Sequence, residues 1–194
     1  MTLYIWRHPK PLAAQGICLG QTDMAVDTRK LKRLANQIQR FVRMNQLPKV
    51  IWVSPLQRSQ KVGQLLQKRG FTCHIATELS ELNFGAWDGL YWTQIPKREI
   101  DDWCESFATF APDNGEMLQQ LFNRVEEWLK ARASENSAIL AVGHAGWINA
   151  AKMITNGQEV PSLAIDWPRA VAYNELSVFD LSGELPKELS KSFR

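Results

Sequence analysis

Two apolar runs of strand length, far apart in the chain, each stop at a histidine. Leu3-Tyr4-Ile5-Trp6 passes into Arg7-His8, and Ala138-Ile139-Leu140-Ala141-Val142 passes into Gly143-His144. The chain has one other histidine, His74. Arg7 places a planar guanidinium beside the first of the pair, and Arg58 follows Ser54-Pro55 at the start of a helical pattern. Guanidinium forks suit phosphate oxygens. A helix start adds free N–H groups and the positive end of its dipole. Gathered in one place, these residues would bind a phosphate group and set imidazole nitrogens beside it.

A parallel sheet is the element that could gather them. Continuous apolar runs read as strands buried on both faces, and ligands of such sheets sit beyond the carboxyl ends of the strands. If strands 2–7 and 138–142 are parallel neighbours, His8 and His144 meet at one site. Between them the pattern predicts a loop through Asp27, then a basic amphipathic helix over 28–45. A strand Val50–Val53 follows, and then a helix with Ser54 as N-cap and Pro55 in its first position, running to Arg69. Phe71–Ile75 reads as a weakly patterned strand. Residues 79–113 look irregular, with short helical pieces at 91–95 and 100–107. Helices are predicted over 116–132 and 145–154, a last strand over Leu176–Leu181, and a loosely held polar tail after Ser182. The alternation of strands and helices gives an α/β fold: a three-layer α/β/α sandwich with a mostly parallel central sheet. The expected organisation is one domain over 1–194, with 79–113 as a cover over the site.

Bulk properties fit that frame. At 194 residues, 45% hydrophobic and 22% charged, the chain is long enough for one well-buried domain. No apolar stretch approaches membrane-spanning length, and no signal-peptide pattern opens the chain. The cysteines Cys18, Cys73 and Cys104 are odd in number and form no CxxC. That argues for the cytoplasm and against a disulfide framework or a zinc site. A net charge of +3 does not call for nucleic acid. The basic residues between Arg29 and Arg43 read as the solvated face of a helix whose other face carries Leu31, Leu34, Ala35, Ile38, Phe41 and Val42.

Four segments, in order, resemble the histidine phosphatases, the phosphoglycerate-mutase-like superfamily. Tyr4-Ile5-Trp6-Arg7-His8-Pro9 is similar to the nucleophile motif, and Ser54-Pro55-Leu56-Gln57-Arg58-Ser59 to the family's Ser-Pro-Leu-x-Arg-Ala segment. Glu78 through Gly89 resembles the acid-donor segment, and Gly143-His144-Ala145-Gly146 the second histidine motif. The resemblance implies a phosphoglycerate-mutase-like fold and a metal-independent phosphomonoester hydrolase with no cofactor. Its partner would be a small phosphomonoester, with no nucleic acid and no membrane involved.

Phosphoryl transfer is mainly positioning and charge neutralisation. Arg7 and Arg58 would bind the phosphate. His8 would attack phosphorus as a neutral imidazole, kept neutral by adjacent cations. His144, if protonated, would stabilise the equatorial oxygens. Glu81 would give a proton to the leaving alkoxide and then take one from the hydrolytic water. Glu78 and Asp88 are neighbours that could play that part; Glu81 has the family's spacing to Phe84-Gly85. Trp87 and His74 read as structural. Trp92 and Trp103 could stack a flat ligand, with packing the leading reading.

Two departures stand out. The family's glycine after the nucleophile is Pro9, which has fixed φ and no N–H. The usual polar residue six after the histidine is Ala14, so one phosphate contact is missing or comes from elsewhere: from Gln21 or Thr22 or, less readily, Lys10. The loop Gln15 to Asp23 and the stretch Pro112 to Glu126 are similar to a subgroup of α-ribazole phosphatases. That implies hydrolysis of α-ribazole 5′-phosphate in assembly of the cobalamin lower ligand. The alternatives are a broad or sugar-phosphate phosphatase of the same family and, from another class, a non-catalytic phosphate binder on the same fold. A mutase is disfavoured by the short interval between acid donor and second histidine.

Overall fold

The computed structural model describes residues 1–181 apart from Ser134 and Asn136. The tail predicted after Ser182 lies outside the described residues.

Among the described residues five strands form one sheet: β1 (Thr2–Arg7), β2 (Val50–Val53), β3 (Thr72–Ile75), β4 (Ile139–Gly143) and β5 (Leu176–Asp180). Their order is β3-β2-β4-β1-β5. All neighbours are parallel except β5, which runs antiparallel to β1 at one edge. The register pairs Arg7 with Gly143, so the residues that follow, His8 and His144, leave the sheet side by side at its carboxyl end.

Alternation along the strands divides the core between the two faces. On one side Leu3 and Ile5 of β1 and Ile139 and Ala141 of β4 pack with helices α4 (Leu118–Arg132) and α5 (Ala145–Thr155). On the other, Trp6, Leu140 and Val142 pack with α1 (Thr28–Met44) and α2 (Gln57–Gln67). The result is the expected α/β/α arrangement. Helix α1 buries Leu31, Leu34, Ala35, Ile38 and Val42 as its spacing requires, and Asp27 caps it by accepting from the Arg29 N–H at 2.7 Å.

Helix α2 departs from expectation. It starts at Gln57, and Ser54-Pro55 forms the turn before it. The Ser54 hydroxyl accepts from the Leu56 N–H at 3.3 Å within that turn and also meets His144 Nε2 at 2.6 Å. Arg58 keeps its place in the first turn. Residues 77–113 hold three short 3-10 turns and α3 (Lys97–Glu105), which begins before the predicted piece at 100–107. This segment docks on the 16–22 loop: the Trp92 N–H donates to Gly16 O at 2.9 Å and the Cys18 N–H to Leu90 O at 2.8 Å. Trp92 and Trp103 stack on each other with centroids 5.9 Å apart, amid Phe84, Trp87 and Phe107. Among the described residues no helix is long and apolar enough to cross a membrane.

Candidate active site

The carboxyl ends of β1 and β4 deliver His8 and His144 into contact. Their ring centroids lie 4.9 Å apart, and both are buried. Arg58, fully buried, reaches them from α2. Its Nε lies 3.2 Å from His8 Nε2 and 3.3 Å from His144 Nδ1. Arginine has only donors, so both of these imidazole nitrogens accept and carry no proton. The remaining nitrogens are then the protonated ones. His8 Nδ1–H donates to Pro9 O at 2.8 Å, and His144 Nε2–H donates to Ser54 Oγ. The neighbours thus fix both tautomers, and His8 turns a lone pair on Nε2 toward the arginine.

Burial, then the charges of Arg58 and Arg7, hold His8 well below the usual histidine range, against an opposing pull from its hydrogen bond to Pro9. His144 is lowered likewise by burial, then by Arg58, His8, Arg124 and Arg7. The sequence reading allowed a protonated His144; in the free site it is neutral.

A buried guanidinium must be well satisfied. Arg58 Nη1 donates to Thr22 O at 2.9 Å and Nη2 to Gly20 O. Those carbonyls are positioned by Asp88, whose carboxylate accepts from the N–H groups of Gly20, Gln21 and Thr22. Asp88 is therefore a loop anchor. Gly20 is required there because a Cβ would collide with Leu82 O and with Asp88. Burial lowers the Arg58 pKa, while Glu81, Asp23 and Asp88 oppose the shift.

Glu81 is the buried carboxylate of its segment, whereas Glu78 is exposed. Its Oε1 accepts from the Leu82 N–H at 3.0 Å and its Oε2 from the Gly146 N–H at 3.1 Å, in the first turn of α5. A side chain at Gly146 would run into the carboxylate. The backbone of the segment is gripped by Arg124 on α4, which donates to the carbonyls of Glu78, Ser80 and Glu81 at 2.8, 2.7 and 3.1 Å. Glu116 holds Arg124 in turn through two bonds of 2.6 and 3.0 Å.

Of the other expected residues, the Gln21 side-chain amide donates to Glu81 O at 3.1 Å, and Thr22 enters through its backbone. Arg7 is half-buried; Nη1 donates to Val171 O at 2.6 Å, and Nε is buried without a hydrogen-bond partner among the described residues. His74 stacks on Trp52 away from the site, and Trp87 is buried with its Nε1–H on Glu99. Sequence reasoning missed Tyr173, whose ring lies 3.8 Å beneath the Arg7 guanidinium and 5.6 Å from the His8 ring, centroid to centroid. It also missed the Glu116–Arg124 clamp; an acid just before a helix and an arginine eight residues later was the available signal. Among the described residues no group of three or more His, Cys, Asp or Glu side chains is arranged to hold a metal ion.

An imidazole lone pair, a second imidazole, two guanidinia and a buried carboxyl can together accept a phosphoryl group and manage one proton. Residues 3–187 match the histidine phosphatase superfamily, branch 1. The chain belongs to that superfamily. It is 32% identical over 104 residues to the adenosylcobalamin/α-ribazole phosphatase of Escherichia coli (strain K12), a match covering 50% of this chain and 51% of that protein. It thus spans about half the length of that curated relative. The crystal structure of the α-ribazole phosphatase from Shigella flexneri is similar with a TM-score of 0.73 and 26% identity, over 93% of this chain and 90% of that one. A mycobacterial glucosyl-3-phosphoglycerate phosphatase shares the fold at a TM-score of 0.72 and 22% identity, over 91% and 88% of the two chains.

Proposed function

We propose that this protein is a phosphomonoester hydrolase working through a phosphohistidine at His8, and that its substrate is α-ribazole 5′-phosphate, released as α-ribazole for the cobalamin lower ligand. The observation that carries the reaction is the tautomer of His8: with Nδ1–H committed to Pro9 O, the lone pair is on Nε2, facing Arg58.

In this reading the ester phosphate takes the Arg58 Nε–H that the histidines share, which frees His8 Nε2. Arg7 offers its unpartnered Nε–H. His8 Nε2 forms a bond to phosphorus as the P–O ester bond breaks, and Glu81 gives its proton to the leaving oxygen. A water then attacks phosphorus, its proton passes to Glu81, the P–N bond breaks and inorganic phosphate leaves. His144, beside the phosphoryl oxygens, becomes the protonated partner once a dianion offsets the burial and the cations that keep it neutral.

The substrate assignment is supported by the names of the Escherichia coli and Shigella flexneri relatives. It also agrees with the resemblance of the 15–23 loop. A cytoplasmic location is supported by three free cysteines. Pro9 and Ala14 favour a second reading, a phosphate binder without turnover. A metal-free, EDTA-treated phosphate-release assay separates them. Its panel would hold α-ribazole 5′-phosphate, 3-phosphoglycerate, fructose phosphates and nucleoside monophosphates. The expected result is a kcat/KM for α-ribazole 5′-phosphate well above the rest. Flat, slow release from all of them points to a general phosphatase. Binding of phosphate without release points to the binder.

A further inference from the structure

Donors for a bound phosphoryl group are few, because much of the site's hydrogen-bonding capacity is already used within the protein. Arg58 gives Nε–H to the histidines and N–H groups of both Nη to Thr22 and Gly20. One Arg7 Nη1–H goes to Val171 O. Tyr173 is different. Its ring lies beneath the Arg7 guanidinium carbon and is angled against His8, and its hydroxyl has no hydrogen-bond partner among the described residues. The segment that carries it is pinned from several sides. Asn149 on α5 donates to Pro168 O at 2.9 Å. The Asn174 N–H donates to Arg7 O at 3.1 Å, and the Arg7 N–H to Glu175 O at 3.0 Å. The Glu175 carboxylate accepts from the Ala172 N–H at 2.6 Å. A half-buried tyrosine on so constrained a segment is a fixed wall of the site.

We propose that Tyr173 is a substrate-binding residue, its hydroxyl donating to a phosphoryl oxygen while its ring keeps the Arg7 guanidinium in plane; the proposal rests on the phosphatase reading above. Guanidinium over an aromatic face is an attractive arrangement that fixes the cation's orientation. A phenol can donate where a methyl such as that of Ala14 cannot.

Tyr173→Phe isolates the hydroxyl, since the ring and its packing stay. Two quantities are measured on the full chain: the affinity for inorganic phosphate by titration calorimetry, and kcat/KM for an aryl phosphate. A hydrogen bond to a charged oxygen is worth about tenfold or more, so Y173F should bind phosphate about tenfold more weakly and lose a similar factor in kcat/KM at unchanged Tm. Wild-type phosphate affinity in Y173F overturns the proposal and leaves the phosphatase reading standing. If the wild type binds phosphate but releases none from any ester, the phosphatase reading falls, and the affinity of Y173F still decides the role of Tyr173. Absence of phosphate binding by the wild type overturns both.

Discussion

The Nε–H of Arg58 lies between two imidazole nitrogens, 3.2 Å from His8 Nε2 and 3.3 Å from His144 Nδ1. One donor therefore sets the tautomers of both histidines, and its charge helps keep both neutral. An incoming phosphate competes for that hydrogen. In the proposed mechanism the step that binds the anion therefore also exposes the His8 Nε2 lone pair.

In the proposed mechanism Arg58 binds the phosphate, and its burial disfavours its charge. A guanidinium this buried loses much of its hydration, and its hydrogen bonds offset that loss only in part. Arg58→Met relieves the burial of the charge but leaves the Gly20 and Thr22 carbonyls without their donor, so Tm should change little while kcat/KM falls by at least about a hundredfold. Arg58→Lys should not rescue activity, because an ammonium cannot reproduce the fork that meets Gly20 O, Thr22 O and both histidines. Thermal melts and steady-state kinetics on the two variants check this.

Arg124 is a positioning residue: it grips three carbonyls of the segment bearing Glu81 and is itself held by Glu116. Arg124→Ala leaves the Glu116 carboxylate, only 14% exposed, without its cation and with the Asn83 N–H as its remaining donor. The expected cost is about 3–5 kcal/mol in stability. Where folded protein is recovered, kcat should fall about tenfold or more with KM little changed, because the acid and not the phosphate site is displaced. Glu116→Gln, which keeps one acceptor for Arg124, should restore most of the stability lost in Glu116→Ala. A loss confined to KM would contradict a role in placing Glu81.

Both histidines are lowered in the fold, so their linkage to stability has a definite sign. Below the unfolded value of about 6.5 the unfolded chain binds protons at these positions and the folded chain does not. Stability is then full above that pH. It falls as pH drops below it, by up to about 1.4 kcal/mol per pH unit for each histidine until the folded pKa is reached. Denaturant melts at pH 7.0, 6.0 and 5.0 should show the decline, and His144→Gln should reduce its slope. The acid limb of kcat/KM should likewise lie below 6.5, since His8 stays neutral there. A slope unaffected by replacing either histidine would contradict the burial-driven shift.

Local signals made much of this site legible. The apolar runs into His8 and His144 needed only strand-length patterning and a parallel neighbour, and the Arg7–Gly143 register brings them together. Helix α1 followed its 3.6-residue period. The start of α2 was misplaced because the Ser54 hydroxyl closes a turn on the Leu56 N–H and also meets a histidine 90 residues away, and the helix begins only at Gln57. Asp88 could not be told from an acid donor until the backbone of the 20–22 loop was seen folded onto it. Tyr173 carries no sequence signal: it lies in an aperiodic loop, and only the pairing of β1 with β5 and the ties from Asn149 and Arg7 bring it to the histidines.

The central claim is that the phosphoryl group passes through His8. The direct test mixes EDTA-treated enzyme with a small excess of α-ribazole 5′-phosphate, quenches in base within a turnover, and maps the label by peptide mass spectrometry. The account predicts one phosphoryl group on the peptide containing His8, absent in His8→Ala together with turnover and more persistent in Glu81→Gln. Turnover in His8→Ala at the wild-type rate, or a phosphoryl group trapped on another residue, would contradict it.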